Sequence, residues 1–151
     1  MLRSIKLTVC ALLIFSTSAL AEPLTMSVKK TASCGCCKIW VDYLKASGFQ
    51  VQTENMVMGQ LMKFKLDHGI THKHASCHTG RISGYTVEGH VPVKEIRRLL
   101  RERPNAVGLS VPGMPIGSPG MEVGSQRDAY DVLLIKKDGS SEVFAHYAAK
   151  E

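Results

Sequence analysis

Aromatic residues are scarce in this chain: four Phe, four Tyr and one Trp make up 6% of 151 residues. They make no aromatic-basic platform of the kind on which nucleic-acid binders stack bases. The basic residues are scattered, apart from Arg97, Arg98, Arg101 and Arg103. Those four fall on the polar side of a helical pattern and read as a solvated face. A second long apolar run is also missing. After residue 21 no stretch approaches the roughly 20 apolar residues that a membrane-spanning helix needs. There is no internal repeat, which excludes a solenoid, and no linker that would divide the chain into two domains.

The one long apolar run stands at the start. Arg3 and Lys6 precede it, Leu7 to Phe15 form it, and Ser18-Ala19-Leu20-Ala21 supply the small residues of a cleavage site. That order is expected for a secretory signal peptide over residues 1–21, and the run is too short to span a bilayer. The exported product would be residues 22–151, long enough for a single domain with its own core. Setting aside Arg3 and Lys6 leaves 17 of the 19 basic residues against 13 acidic ones, a net charge of +4. Cys10 falls inside the signal and would leave with it.

Four cysteines remain: Cys34, Cys36, Cys37 and Cys77. An even number in an oxidising compartment first suggests two structural disulfides. The spacing argues otherwise. Neighbouring Cys36 and Cys37 cannot bond without strain, and a Cys34–Cys37 bond closes too small a loop to stabilise much. Three thiols within four residues point to chemistry, either a redox centre or a nest for a soft metal.

The elements around them follow from periodicity. Leu24 to Lys30 reads as a strand that runs into the cysteine loop, with Ser33 in the N-cap region of a first helix. That helix buries Cys37, Trp40, Val41 and Leu44 and stops at Ser47-Gly48. Residues 49–53 alternate like a strand, and 57–67 form a second helix ending at His68-Gly69. Residues 71–79 are polar and rich in histidine. A strand, or a tight pair broken at Gly84, occupies 81–89. Pro92 opens a third helix with Val93, Ile96, Leu99 and Leu100 inward, and Pro104 ends it. Residues 108–125 read as loop, with five glycines and three prolines. A hairpin over 130–136 and 141–145 turns at Lys137-Asp138-Gly139-Ser140. The expected fold is α/β, a thioredoxin-like mixed sheet with flanking helices and a late β-hairpin, because a strand leading to Cys-x-x-Cys at a helix start is the arrangement of that fold.

Two chemistries fit the thiols. In the redox reading, Cys34 is the nucleophile, its thiolate favoured by the free N–H groups and the positive dipole end of the helix, and Cys37 resolves it one turn later. This leaves Cys36 and Cys77 without roles. In the metal reading, all four sulfurs are ligands. Successive helical residues point about 100° apart, so Cys36 and Cys37 converge poorly on one small ion. A multinuclear cluster with bridging thiolates removes that difficulty, and soft sulfur ligands select Cu(I). His68, His72, His74 and His78 surround Cys77 and strengthen the metal reading as a group. Met114 and Met121 sit on a Gly/Pro-rich loop with little core to fill, as candidate thioether ligands.

Thr31-Ala32-Ser33-Cys34-Gly35-Cys36-Cys37-Lys38, Ser76-Cys77-His78-Thr79 and Gly84-Tyr85-Thr86-Val87-Glu88-Gly89-His90-Val91-Pro92 closely resemble a family of exported proteins long labelled a domain of unknown function, which includes the CopG-type proteins of bacterial copper-resistance clusters. Arg103 to Leu109 and Gly113 to Glu122 continue the resemblance. It implies a thioredoxin-like fold in the periplasm and copper bound by Cys34, Cys36, Cys37 and Cys77, with Met114, Met121 and His78 as further ligands. It also implies a copper oxidoreductase role beside other copper-resistance proteins. Two alternatives stay open: a metal-free thiol–disulfide oxidoreductase using Cys34 and Cys37, and a passive copper carrier.

Overall fold

Met26 and Val28 alternate with Ser27 and Lys29 along the first strand, β1 (Thr25–Lys30), burying the apolar pair completely. In the computed structural model, which describes residues 24–151, β1 leads through a turn to helix α1 (Gly35–Ala46). The expected signal segment and Cys10 lie outside the described residues. The chain continues through β2 (Gln50–Asn55), α2 (Met58–Asp67), a 3-10 turn at His72–His74, β3 (Thr79–Ile82), β4 (Tyr85–Glu88), α3 (Val93–Glu102), β5 (Ala106–Ser110), β6 (Tyr130–Lys136) and β7 (Ser141–Tyr147). Seven strands form one mixed sheet in the order β2-β1-β3-β4-β5-β6-β7, parallel at β1/β2 and β4/β5 and antiparallel elsewhere. No described helix is long and apolar enough to cross a membrane.

The mixed α/β sheet, the three helices and the late hairpin agree with the expectation. One element differs. Residues 108–110, expected to begin a loop, belong to a central strand, β5. Its period-2 signal is interrupted at Gly108, where the pairing with β6 shifts register, so five short residues did not read as a strand. β2 also runs to Asn55, and β7 to Tyr147.

Strand alternation divides the core between two faces. Met26, Val28, Val87, Leu109 and Val132 meet Trp40, Val41 and Leu44 of α1 and Val93, Ile96 and Leu99 of α3. Trp40 is fully buried there and its indole N–H donates to Val91 O at 3.0 Å. The intervening residues Lys29, Thr79 and Glu88 face α2, which approaches them with Phe64 and Lys65. Leu61 and Lys65 are the buried residues of α2, while Leu66 is exposed.

Near the hairpin, Tyr130 stacks on Tyr147 with ring centroids 4.8 Å apart, and the Tyr147 hydroxyl donates to buried Glu95 at 3.0 Å. Burial pushes the Tyr130 phenol up to about 12, against about 10 for a free tyrosine. A folded-state pKa raised this way means the fold favours the neutral phenol. Its contribution to stability is complete below pH ~10 and is lost as pH rises through about 12. Burial and Glu95 hold the Tyr147 phenol up as well, so ultraviolet titration of tyrosinate should show late ionisation that Tyr130→Phe reduces by one phenol. A single step near pH 10 in the parent would contradict this packing.

Candidate metal centre

Strand register brings the cysteines together. Lys29 of β1 pairs with Thr79 of antiparallel β3, so Cys77, two residues before Thr79, lies past the end of β1 where Cys34 to Cys37 begin α1. Thr79 also pairs with Glu88, and Glu88 with Ser110. His90 after β4 and the loop after β5 therefore emerge at the same end of the sheet.

Cys34 itself, rather than Ser33, is the N-cap of α1. Its sulfur accepts from the Cys37 backbone N–H at 3.3 Å. A sulfur in that position meets the free N–H groups that stabilise negative charge. Cys34 and Cys37 are joined by a disulfide with Cα atoms 5.3 Å apart, and Cys36 and Cys77 are free and half-buried. Cys36 Sγ lies 3.6 Å from Cys34 Sγ and 3.8 Å from Cys77 Sγ. All four sulfurs lie within 4.8 Å of one another, a group able to hold a metal once the Cys34–Cys37 disulfide is reduced. This is closer than the 100° helical step suggested, because Cys37 folds back onto the cap while Cys36 points across to Cys77. Two thiolates on one soft ion at about 2.3 Å per bond stand just under 4 Å apart, so the Cys36–Cys77 spacing suits a shared ion.

A second ligand-capable group, Cys77, His78 and His90, adjoins the first through Cys77. Cys77 Sγ lies 3.2 Å from His90 Nε2 and 3.8 Å from His78 Nδ1. His90 Nδ1 is 2.8 Å from Pro119 O. A carbonyl can only accept, so Nδ1 carries the proton and Nε2 turns its lone pair to Cys77. That backbone anchor on the far nitrogen is the support metal-ligating histidines commonly have. Both rings are fully buried, and burial lowers their pKa, His78 well below the ordinary histidine value with help from His90 and Lys65. Burial likewise pushes the Cys77 thiol up to about 11, reinforced by neighbouring Cys36. The result is two neutral imidazoles beside a Cys77 thiol that holds its proton until a cation displaces it. His78 packs on Trp40 with ring centroids 4.3 Å apart and planes tilted by 37°, it meets His90 edge-on at 5.0 Å, and its Nε2 is buried without a hydrogen-bond partner.

The loop after β5 closes over this end. Gly113 N–H donates to Ala75 O at 3.0 Å, and the Ser76 hydroxyl donates to Gly113 O. At the far end Gly120 lies on α1, where an added Cβ would stand 2.9 Å from Trp40 N and 3.0 Å from Cys36 O. The loop thus runs from the Cys77 side to the Cys36 side, with Met114 exposed and Met121 half-buried on it. The remaining candidate histidines lie elsewhere. His68 Nδ1 donates to Phe64 O at 2.7 Å at the end of α2, His72 is exposed, and buried His74 contacts Thr71 Oγ1 at 3.3 Å. None of the three belongs to either ligand group. His90 had no sequence signal of its own, since one histidine between Gly89 and Val91-Pro92 reads as a turn residue. Cavities of about 420 and 470 Å³ lie around Arg103 and around Arg127, lined by no cysteine.

Residues 74–121 match a family model described as "Protein of unknown function, DUF411". No curated protein sequence matches the chain. Two solved structures are similar to it, copper resistance protein CopG in form 1 and in form 2. Form 1 is 46% identical with a TM-score of 0.79, covering 84% of this chain and 99% of that one. Form 2 is 47% identical with a TM-score of 0.77, covering 83% and 99%. With identity at that level along nearly all of the relative, the chain belongs to the CopG-type, DUF411 family.

Proposed function

We propose that this chain is a periplasmic copper-handling protein that binds Cu(I) through Cys34, Cys36, Cys37 and Cys77 and couples copper valence to thiol redox on a thioredoxin-like frame. The carrying observation is the meeting of four sulfurs within 4.8 Å although Cys77 is 41 residues from Cys36. The likeness to copper resistance protein CopG supports copper as the metal, and so does the softness of the donor set. The element order β1-α1-β2-α2-β3-β4-α3, with Cys34 capping α1, supports the frame.

The partition of the thiols supports a redox step. Cys34 and Cys37 form the oxidisable pair, and Cys36 and Cys77 remain thiols beside His78 and His90. Two Cu(II) ions each take one electron from the Cys34 and Cys37 thiolates, whose sulfurs join as a disulfide, leaving two Cu(I). The reverse reaction reduces the disulfide and oxidises two Cu(I). Cys36, Cys77 and the two imidazoles keep a donor set for copper in the oxidised protein, and Met114 and Met121 supply thioether contacts from the covering loop.

The test is to mix reduced, metal-free protein with Cu(II) without oxygen. The expected result is loss of the Cu(II) electron paramagnetic resonance signal at two ions per protein, with a Cys34–Cys37 disulfide found by mass spectrometry. Retention of the signal would instead describe a passive carrier. Disulfide reductase activity unaffected by copper or by loss of Cys77 would describe a metal-free exchanger.

A further inference from the structure

Lys65 occupies the inner side of α2, 1% exposed, where an apolar residue would be expected. Its ammonium donates to Glu88 Oε1 at 2.6 Å and to Thr79 Oγ1 at 2.9 Å, and the Thr79 hydroxyl donates on to Glu88 Oε2 at 2.7 Å. Glu88 is itself fully buried. Replacing such a pair with well-packed apolar residues is often neutral or stabilising, so packing alone does not explain it. Glu88 makes one more contact that an apolar side chain cannot: its Oε1 accepts from the Ser76 backbone N–H at 2.7 Å.

Ser76 is the residue before Cys77, and the neighbours of Glu88 continue the grip. Gly89 N–H donates to His78 O at 3.0 Å, and His90 Nε2 faces Cys77 Sγ at 3.2 Å. Gly89 has φ +71°, and a Cβ there would stand 2.5 Å from Val111 O and 2.6 Å from Ser76 Cβ. Three consecutive residues at the end of β4 therefore hold three consecutive residues, Ser76, Cys77 and His78, with only glycine admitting the close approach.

We propose that Glu88 is a positioning residue that fixes Cys77 opposite Cys36, with Lys65 as the counter-ion that keeps its carboxylate in the core. The proposal rests on the preceding functional reading only in taking Cys77 as part of the copper site. Its test needs no copper. In a Cys34→Ser/Cys37→Ser background, in which serine still suits the N-cap, Cys36 and Cys77 are the pair available to phenylarsine oxide. That reagent forms two As–S bonds and releases water, which requires two neighbouring thiols.

Lys65→Met/Glu88→Gln removes both charges and keeps a carbonyl acceptor for Ser76, so arsenical affinity should stay within about two-fold of the background. Lys65→Met/Glu88→Leu is also uncharged but offers no acceptor, and affinity should fall about ten-fold or more, the scale of one buried hydrogen bond. Equal affinity in the two double variants would overturn the proposal. If the leucine variant does not fold, hydrogen exchange in the unaltered protein decides: the Ser76 amide should be protected as strongly as the β3–β4 ladder, and free exchange would overturn the proposal. A fall in arsenical affinity with unchanged Cu(I) capacity in the four-cysteine protein would uphold the positioning role and remove Cys77 from the copper site.

Discussion

Gly108→Ala is expected to destabilise the fold by about 3–5 kcal/mol, combining the cost of an overpacked interior contact with that of a backbone conformation side chains rarely adopt. A Cβ at Gly108 would stand 1.8 Å from Thr86 O and 2.7 Å from Thr86 N and C, at φ +155°. These are main-chain atoms of the neighbouring strand, paired in register with Gly108. A flexible side chain could swing aside, but β4 is held by β3 on its other side and β5 by β6. Relief therefore requires opening the middle of the sheet. A domain of this size is stable by only about 5–15 kcal/mol in total, so the urea midpoint should fall sharply or the variant should fail to fold. An unfolding free energy within about 1 kcal/mol of the parent would mean the strands do not approach this closely. The site would be damaged with the fold, since β4 and β5 deliver His90 and the covering loop.

Cys36→Ser and Cys77→Ser are each expected to lower Cu(I) affinity by about 100-fold or more, measured in the reduced protein against a chromogenic Cu(I) competitor. Serine keeps the shape of the side chain but replaces a soft thiolate with a hard hydroxyl that Cu(I) disfavours. Loss of a mere supporting contact around a metal typically costs 10–100-fold, and loss of a ligand should reach at least the upper end. Cys36 is the informative position. It stands between Cys34 at 3.6 Å and Cys77 at 3.8 Å, so its loss separates the helix thiols from the loop thiol. A dithiol exchanger working through Cys34 and Cys37 would be indifferent to either change. Parent-like copper binding by both variants would sink the four-thiol site.

Several of these features were legible in the chain because they depend on local order. The 0, 3, 4, 7 spacing of Cys37, Trp40, Val41 and Leu44 placed α1, and all four are buried on it. Gly84 split 79–88 into a tight antiparallel pair, and Pro92 marked the start of α3. β5 was not legible, because Gly108 stands there to admit the β4 backbone, a demand set by a neighbouring strand. No local pattern marks Lys65 and Glu88 as buried, for the same reason: they meet as an ion pair only in the folded core. His68, His72 and His74 lie close to Cys77 in sequence yet belong to neither ligand group. His90, thirteen residues from Cys77, reaches its sulfur.

The sequence alone determined that three thiols would crowd the start of a helix, with Cys34 and Cys37 one turn apart. Helical periodicity and capping act within a few residues, so they can be read from the chain. The chain also offered Cys77 as a fourth thiol, but only the tertiary structure decided that it meets Cys36 and that His90 joins them. Their approach depends on which strands pair, in what register and at which end of the sheet they finish. Those choices come from burying two faces of one sheet at once, which no local stretch of sequence encodes.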